Sequence, residues 1–331
     1  MYKLVDKNLL LRFIAMVFII ALIQPVKAQS LEFPKDEGRH EDVDFEAWSF
    51  LTHLKTADSS RFGVAIFFFT GKVVGINASG LYVVVSEQKN DEYEKFTKIQ
   101  IPLINQTTHT EDYLFENYSD NILKRDSDGG PYIIKIDKDD FVISLEFNPI
   151  KKPIDMGRLS VGDEGFNRIY AVPRGEVSAK MKFKDNDYNL TGIGIFQHQW
   201  GDKPDENLLS DMFALHLNEG TDILIYHSDT SPGINKMLAS DADDNSIVLN
   251  NFFAKADSLA VVKSTGDVFE LNWNIKSPEN QIELNILPTK VHQEVEMLDV
   301  TYWLAQCRVI GYIKGKPVDG YGYVYIKKEG T

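Results

Sequence analysis

His198 and Trp200 stand two residues apart, so on an extended strand both side chains leave the same face. An indole beside an imidazole can stack an unsaturated ligand and stabilise positive charge through its ring face. The plain alternative is a core tryptophan next to a hydrogen-bonded histidine. Glu46 and Trp48 share the spacing, and Glu46 could orient His198 or supply a proton. Asp202 and Asp211 bracket a polar stretch; either becomes a general acid if apolar neighbours raise its pKa. Tyr226, Tyr302 and Tyr323 can turn neutral hydroxyl donors into a pocket, or simply cover a sheet.

Metal chemistry finds little support in the spacing. His216 and His227 lie across a turn at 218–221, but two histidines fall short of the three protein ligands catalytic zinc takes. The run from Asp241 to Ser246 (DADDNS) offers calcium-type oxygens without the glycine or terminal glutamate of a full loop, and reads as a surface turn. His40, among Asp36, Glu37, Glu41, Asp42 and Asp44, reads as part of a solvated amino-terminal arm. Cys307 is the sole cysteine, which excludes an intrachain disulfide and any multi-cysteine zinc site. There is no serine-nucleophile elbow, Walker loop, dinucleotide fingerprint or HExxH, so neither cofactor nor metal is expected.

The elements that must position these residues are strands. Period-two alternation and β-rich runs recur between turns: 61–69, 81–85, 141–147, 190–196, 213–217, 223–227, 268–275, 281–287, 307–313 and 320–326. Polar turns at 184–187, 218–220, 277–280 and 314–317 pair several of these into hairpins. The best helical candidate is the short segment 44–54. No βαβ rhythm is present, so the fold class is all-β. The polar stretch 201–210 (GDKPDENLLS) marks a boundary between domains 29–200 and 201–331, each sized for a barrel of eight or so strands. The halves show no obvious sequence repeat.

Length and composition agree with this. The 331 residues are 43 % hydrophobic and 11 % aromatic, enough to bury real cores, and a net charge of −14 opposes nucleic-acid binding. Lys3, Lys7 and Arg12 precede the apolar run 13–23 (FIAMVFIIALI), and Val26 and Ala28 fit signal-peptidase cleavage after Ala28. The run is too short to span a bilayer and no cysteine follows it, so residues 1–28 read as a signal peptide rather than an anchor. The mature chain is expected to be exported and soluble, with no membrane span.

Three segments, in order, resemble the lipocalin-like carotenoid 1,2-hydratase (hydroxyneurosporene synthase) family. They are Glu46-Ala47-Trp48-Ser49-Phe50-Leu51-Thr52-His53-Leu54 followed by Arg61-Phe62-Gly63, then Gln197-His198-Gln199-Trp200-Gly201, then Tyr302-Trp303, Gly311 and Gly320-Tyr321-Gly322-Tyr323-Val324. Asp211-Met212-Phe213 also sits where members carry an Asp-Trp-Phe segment. The resemblance implies two tandem lipocalin-like antiparallel β-barrels and an apolar small-molecule ligand. It implies a pocket lined by Trp48, Gln197, Gln199, Trp200, Tyr226, Tyr302, Trp303 and Tyr323, with His198, Glu46 and Asp211 as catalytic candidates. Gln197 stands where hydratase-like members have an acid, Ala47 replaces a tryptophan, and Gln306 lies near a usually small position. An amide cannot protonate an alkene, so another acid is required. Two functions stay open: an enzyme that hydrates, isomerises or cyclises an isoprenoid or polyene-type double bond, and a carrier that holds such a ligand unchanged.

Overall fold

The computed structural model describes residues 31–73, 76–89, 92–100, 107–127, 129–138, 141–161, 165–202, 211–229, 235–261, 266–290, 293–297 and 300–327. Residues 1–28, read above as a signal peptide, and residues 203–210 of the stretch expected to mark a domain boundary lie outside them. Among the described residues there is no α-helix, and none long and apolar enough to cross a membrane. The strands form two antiparallel sheets, as the alternation requires.

The first sheet contains β1 (Phe45–Lys55), β2 (Arg61–Val73), β3 (Ile76–Glu87), β4 (Glu92–Gln100), β5 (Thr107–His109) and β6 (Phe115–Tyr118). It continues with β7 (Asn121–Arg125), β8 (Tyr132–Lys138), β9 (Phe141–Pro149), β10 (Ile154–Val161), β11 (Gly165–Phe183) and β12 (Asn186–Gly201). Their order is β4-β3-β2-β1-β12-β11-β9-β8-β7-β6-β5, with β10 beside β11. The second sheet contains β13 (Asp211–Leu217), β14 (Asp222–His227), β15 (Lys236–Ser240), β16 (Ser246–Leu249) and β17 (Phe253–Val261). To these it adds β18 (Val268–Ser277), β19 (Ile282–Pro288), β20 (Glu294–Met297), β21 (Val300–Ile313) and β22 (Lys316–Lys327). Its order is β16-β15-β14-β13-β22-β21-β19-β18-β17, with β20 beside β21.

Twelve and ten strands exceed the eight expected, because long strands each serve two partners. β11 pairs with β10 through its first half and with β9 through its second, a register shift between Val172 and Gly175 dividing the two. A bulge of this kind bends a strand and lets a sheet curl. β21 divides the same way between β20 and β19. The hairpin turns fall where the polar residues predicted. Ile313 pairs with Lys316 across Lys314 and Gly315, both at positive φ (50° and 74°), the type I′ geometry matched to strand twist.

The two sheets share one plan, and the register exposes a repeat that the sequence conceals. Gly192 faces Leu54 and Gly320 faces Leu217; a Cβ there would lie 1.9 Å from His53 O and 2.2 Å from His216 O. His53 and His216 therefore occupy equivalent places, within Phe50-Leu51-Thr52-His53-Leu54 and Phe213-Ala214-Leu215-His216-Leu217. Carried along the strands, the same alignment puts Ile326 opposite His198 and Asp211 opposite Trp48. The chemistry of the first sheet is thus not duplicated in the second.

β1 corrects the helical expectation for 44–54: it is a central strand buried on both faces. Trp48 and Phe50 point into the first sheet's concave core, Trp48 against His198 and Phe50 against Tyr132, Phe147 and Phe196. Leu51 points the other way, into a second core with Ala65, Ile195, Met212, Leu224 and Leu304 that joins the two sheets. A strand wrapped by apolar groups on both sides loses its alternation, which is why its pattern mimicked a helix. A third core, including Phe213, Trp273, Leu284 and Trp303, fills the second sheet.

Candidate functional site

Antiparallel pairing of β1 with β12 sets Glu46 opposite Trp200 and Trp48 opposite His198. All four side chains leave the concave face of the first sheet. Trp48 stacks on His198 at 4.9 Å between ring centroids, and Trp200 lies 4.7 Å from the same imidazole. Tyr170 meets it edge-on at 5.4 Å. The Glu46 carboxylate reaches His198 Nε2 at 2.8 Å, and both side chains are fully buried.

The segment before β1 completes the cluster. The solvated arm expected there is instead folded across the sheet. Glu37 is buried, taking hydrogen bonds from Arg125 and from Tyr132 Oη (2.7 Å), and its carbonyl accepts the Trp48 indole N–H at 3.1 Å. Asp36 O accepts from His198 Nδ1 at 3.0 Å. His40 donates to Glu46 twice, from its backbone N–H (3.0 Å) and from Nδ1 (2.7 Å), while its ring stacks on Trp200 at 4.3 Å. Its Nε2 faces Asp36 Oδ1 at 3.6 Å. Arg39 closes the flank by a two-point contact with the buried Glu116, which also meets Tyr118 through Arg39.

Proton bookkeeping at His198 follows from the partners. A carbonyl can only accept, so Nδ1 carries a hydrogen, and a neutral ring would then present a lone pair to Glu46. Nε2 and the carboxylate oxygen, 2.8 Å apart, form the contact in which an added proton would be held. Burial pushes the His198 pKa down against the pull of Glu46, which makes its protonated form a stronger acid than free imidazolium. Burial also opposes the Glu46 charge, yet hydrogen bonds from His198 and His40 hold its carboxyl below the usual range. Burial lifts Glu116 to about 8 although Arg39 pulls it down.

A cleft of about 240 Å³ opens beside this cluster, its walls including Arg39, His40, Thr70, Lys72, Ser79 and His109. Of the triad Glu46, His198 and His40, it is His40 that lines the cleft, its side chain 22 % exposed. The wall is polar, whereas the concave core behind it is packed with rings, among them Phe50, Phe68, Tyr118, Tyr132 and Phe147, all fully buried.

The other residues singled out lie elsewhere. Gln197 and Gln199 leave the opposite face of β12 from His198, and Gln197 Oε1 accepts from Tyr226 Oη at 2.5 Å within the core between the sheets. Tyr302 stacks on Tyr325 at 4.4 Å in that core, and Tyr323 Oη donates to Thr52 O at 3.1 Å. Trp303 lies in the core of the second sheet, and Asp211 starts β13 with its carboxylate 3.8 Å from His227 Nδ1. His216 and His227 are not neighbours, because the hairpin register gives each a carboxylate: His216 faces Asp222 and His227 faces Asp211. Sequence reasoning missed Asp36, Arg39, His40 and Glu116. For the first three the available signal was a single Gly38-Arg39-His40 interruption of an acidic run; Glu116 gave none.

Comparison with known proteins agrees with this architecture. The family described as AttH-like matches residues 24–327. No functionally curated protein matches the sequence. Among solved structures, a Nitrosomonas europaea protein assigned as AttH superposes with a TM-score of 0.79 at 20 % identity, covering 91 % of this chain and 98 % of that one. Kievitone hydratase from Nectria haematococca gives 0.71 at 12 % identity, covering 92 % and 95 %. CghA, solved with Sch210972, gives 0.57 at 9 % identity, covering 91 % and 97 %.

Proposed function

The chain belongs to the AttH-like family, and on that footing we propose that it is an exported acid–base enzyme, related to the lipocalin-like carotenoid hydratases. Its reaction is hydration, isomerisation or cyclisation at a carbon–carbon double bond, needing no redox cofactor. The observation that carries the reading is the fully buried His198–Glu46 contact, a pair able to take up and release a proton where Gln197 is not. That two of the structural neighbours are a hydratase and a protein solved with a small molecule supports this choice of chemistry.

His40 is the member of the triad on the cleft wall, so it hands the proton to the substrate and Glu46 recharges it. Protonation of the alkene leaves a carbocation in the cleft beside His40, whose ring is backed by Trp200. Water then adds and returns a proton to the cluster, or a neighbouring C–H gives one up, so protons balance in either outcome. A cleft of about 240 Å³ with a polar wall suits a small substrate that brings hydrogen-bonding groups, rather than a long unadorned polyene. The ring-filled core counts against carriage of a bulky lipid.

The test starts with native mass spectrometry of protein from its own host, to identify the molecule that co-purifies. That compound and related small alkenes are then incubated with enzyme in D₂O. Wild type should place deuterium on carbon, and Glu46→Gln and His40→Gln should lose at least about 100-fold in rate, the usual contribution of a general acid. Rates within twofold of wild type in both variants would remove the cluster from the chemistry.

A further inference from the structure

We propose that His40, Glu46 and His198 form a binding site for a zinc-class divalent ion, which reaches them from the cleft. The inference uses the side chains of the proposed reaction but stands whether or not they catalyse it. His198 Nε2 lies 2.8 Å from the Glu46 oxygen, and His40 Nδ1 is 2.7 Å from that same oxygen. One ligating atom from each of the three residues lies within 4.8 Å of the other two. Around a tetrahedral ion with bonds of about 2.0–2.2 Å, ligand atoms sit roughly 3.3–3.5 Å apart, so the two contacts to the Glu46 oxygen need open by about 0.5–0.8 Å.

The surroundings are those a metal-bound histidine wants. Such a ring usually donates its second N–H to a carbonyl or carboxylate, which fixes the tautomer. Asp36 supplies both partners: its carbonyl takes His198 Nδ1 at 3.0 Å and its carboxylate faces His40 Nε2 at 3.6 Å. Trp200 braces the His40 ring by stacking, and Trp48 does so for His198. Two imidazole nitrogens and one carboxylate oxygen favour zinc, cobalt or copper over calcium and magnesium, which prefer oxygen ligands throughout. Three protein ligands is also the number found in catalytic rather than structural zinc, and His40 is the ligand that lines the cleft. The other charges facing the triad are Asp36 and the Arg39–Glu116 pair.

The experiment uses the whole chain, stripped with a chelator and titrated with Zn²⁺ and Co²⁺ by calorimetry and visible absorbance, without substrate. We expect one ion per chain with a Kd at or below the micromolar range, and proton release seen as a dependence on buffer ionisation heat. Affinity should fall at least tenfold from pH 8 to pH 6, because the ion displaces a proton. Co²⁺ should give the intense visible bands of four-coordination, and millimolar Ca²⁺ or Mg²⁺ should not compete. His40→Ala, at the exposed corner of the triad, should weaken binding at least tenfold, while His227→Gln on the second sheet should not. Absence of saturable binding to wild type at 100 μM metal would overturn the proposal, as would equal binding by wild type and His40→Ala. A metal site without turnover refutes only the enzyme reading, and turnover without metal binding refutes only this one.

Discussion

Replacing Glu46 by glutamine and by alanine separates its two roles, acceptor and proton store. Its carboxylate receives three donors: His198 Nε2, His40 Nδ1 and the His40 backbone N–H. Alanine leaves all three without an acceptor, and each orphaned buried donor costs about 1–3 kcal/mol. His198 then sheds its second ring proton, which recovers part of the loss, so a net cost of about 3–5 kcal/mol is expected. Glutamine can keep an oxygen at the position where His198 Nε2 and His40 Nδ1 both meet Glu46 Oε1, but its amide then faces the His40 backbone N–H, so its cost should be about 1–3 kcal/mol. Urea unfolding followed by tryptophan fluorescence reports the difference directly, since Trp48 and Trp200 flank the site. Glutamine is expected to cost less than alanine by about 1 kcal/mol or more; equal costs, or a costlier glutamine, would refute the role of Glu46 Oε1 as the shared acceptor. Proton NMR supplies an independent check. The shared proton should give a far-downfield resonance in wild type that is missing in Glu46→Gln.

Asp222→Asn should be among the most damaging single changes between the sheets, because Asp222 takes Arg174 at 2.8 Å, Lys151 at 2.7 Å and His216 at 2.6 Å. Breaking such a buried network costs about 3–5 kcal/mol, measurable as a lowered unfolding midpoint. Stability should fall on acidification through His53, which burial, with His216 and Arg61 nearby, pushes down to about 3 from 6.5. Its depressed folded pKa means that the contribution is complete above pH 6.5 and is lost at about 1.4 kcal/mol per unit down to pH 3. His53→Asn should flatten that part of the stability–pH curve, and an unchanged slope would show that His53 is not the group titrating. Tyr226→Phe removes the donor to Gln197 Oε1, whose Nε2 already has no partner. It should cost about 1–2 kcal/mol by denaturant titration, without changing the secondary-structure signal.

What the sequence determined was local. Side-chain partition along a pleat has a period of two, and tight turns demand Gly, Asn, Asp or Lys at particular φ, so hairpins such as β21–β22 and β18–β19 were legible residue by residue. The sharing of one face by His198 and Trp200, and by Glu46 and Trp48, followed from the same period and needed only the register to bring the pairs together. What the tertiary structure decided was which face meets what. β1 and the end of β12 are buried on both sides, so hydrophobicity could not tell the concave core from the core between the sheets. Gln197, Tyr226, Tyr302 and Tyr323 therefore went to the core between the sheets, while Trp303 went to the core of the second sheet. Within the acidic run at 36–44, Glu41 and Asp42 are exposed as expected, but Glu37 is buried against Arg125, 88 residues away, and just beyond the run Glu46 meets His198, 152 residues away. No local pattern carries such a pairing, since burial of a charge is set by the complementary group the fold delivers and not by its neighbours in sequence.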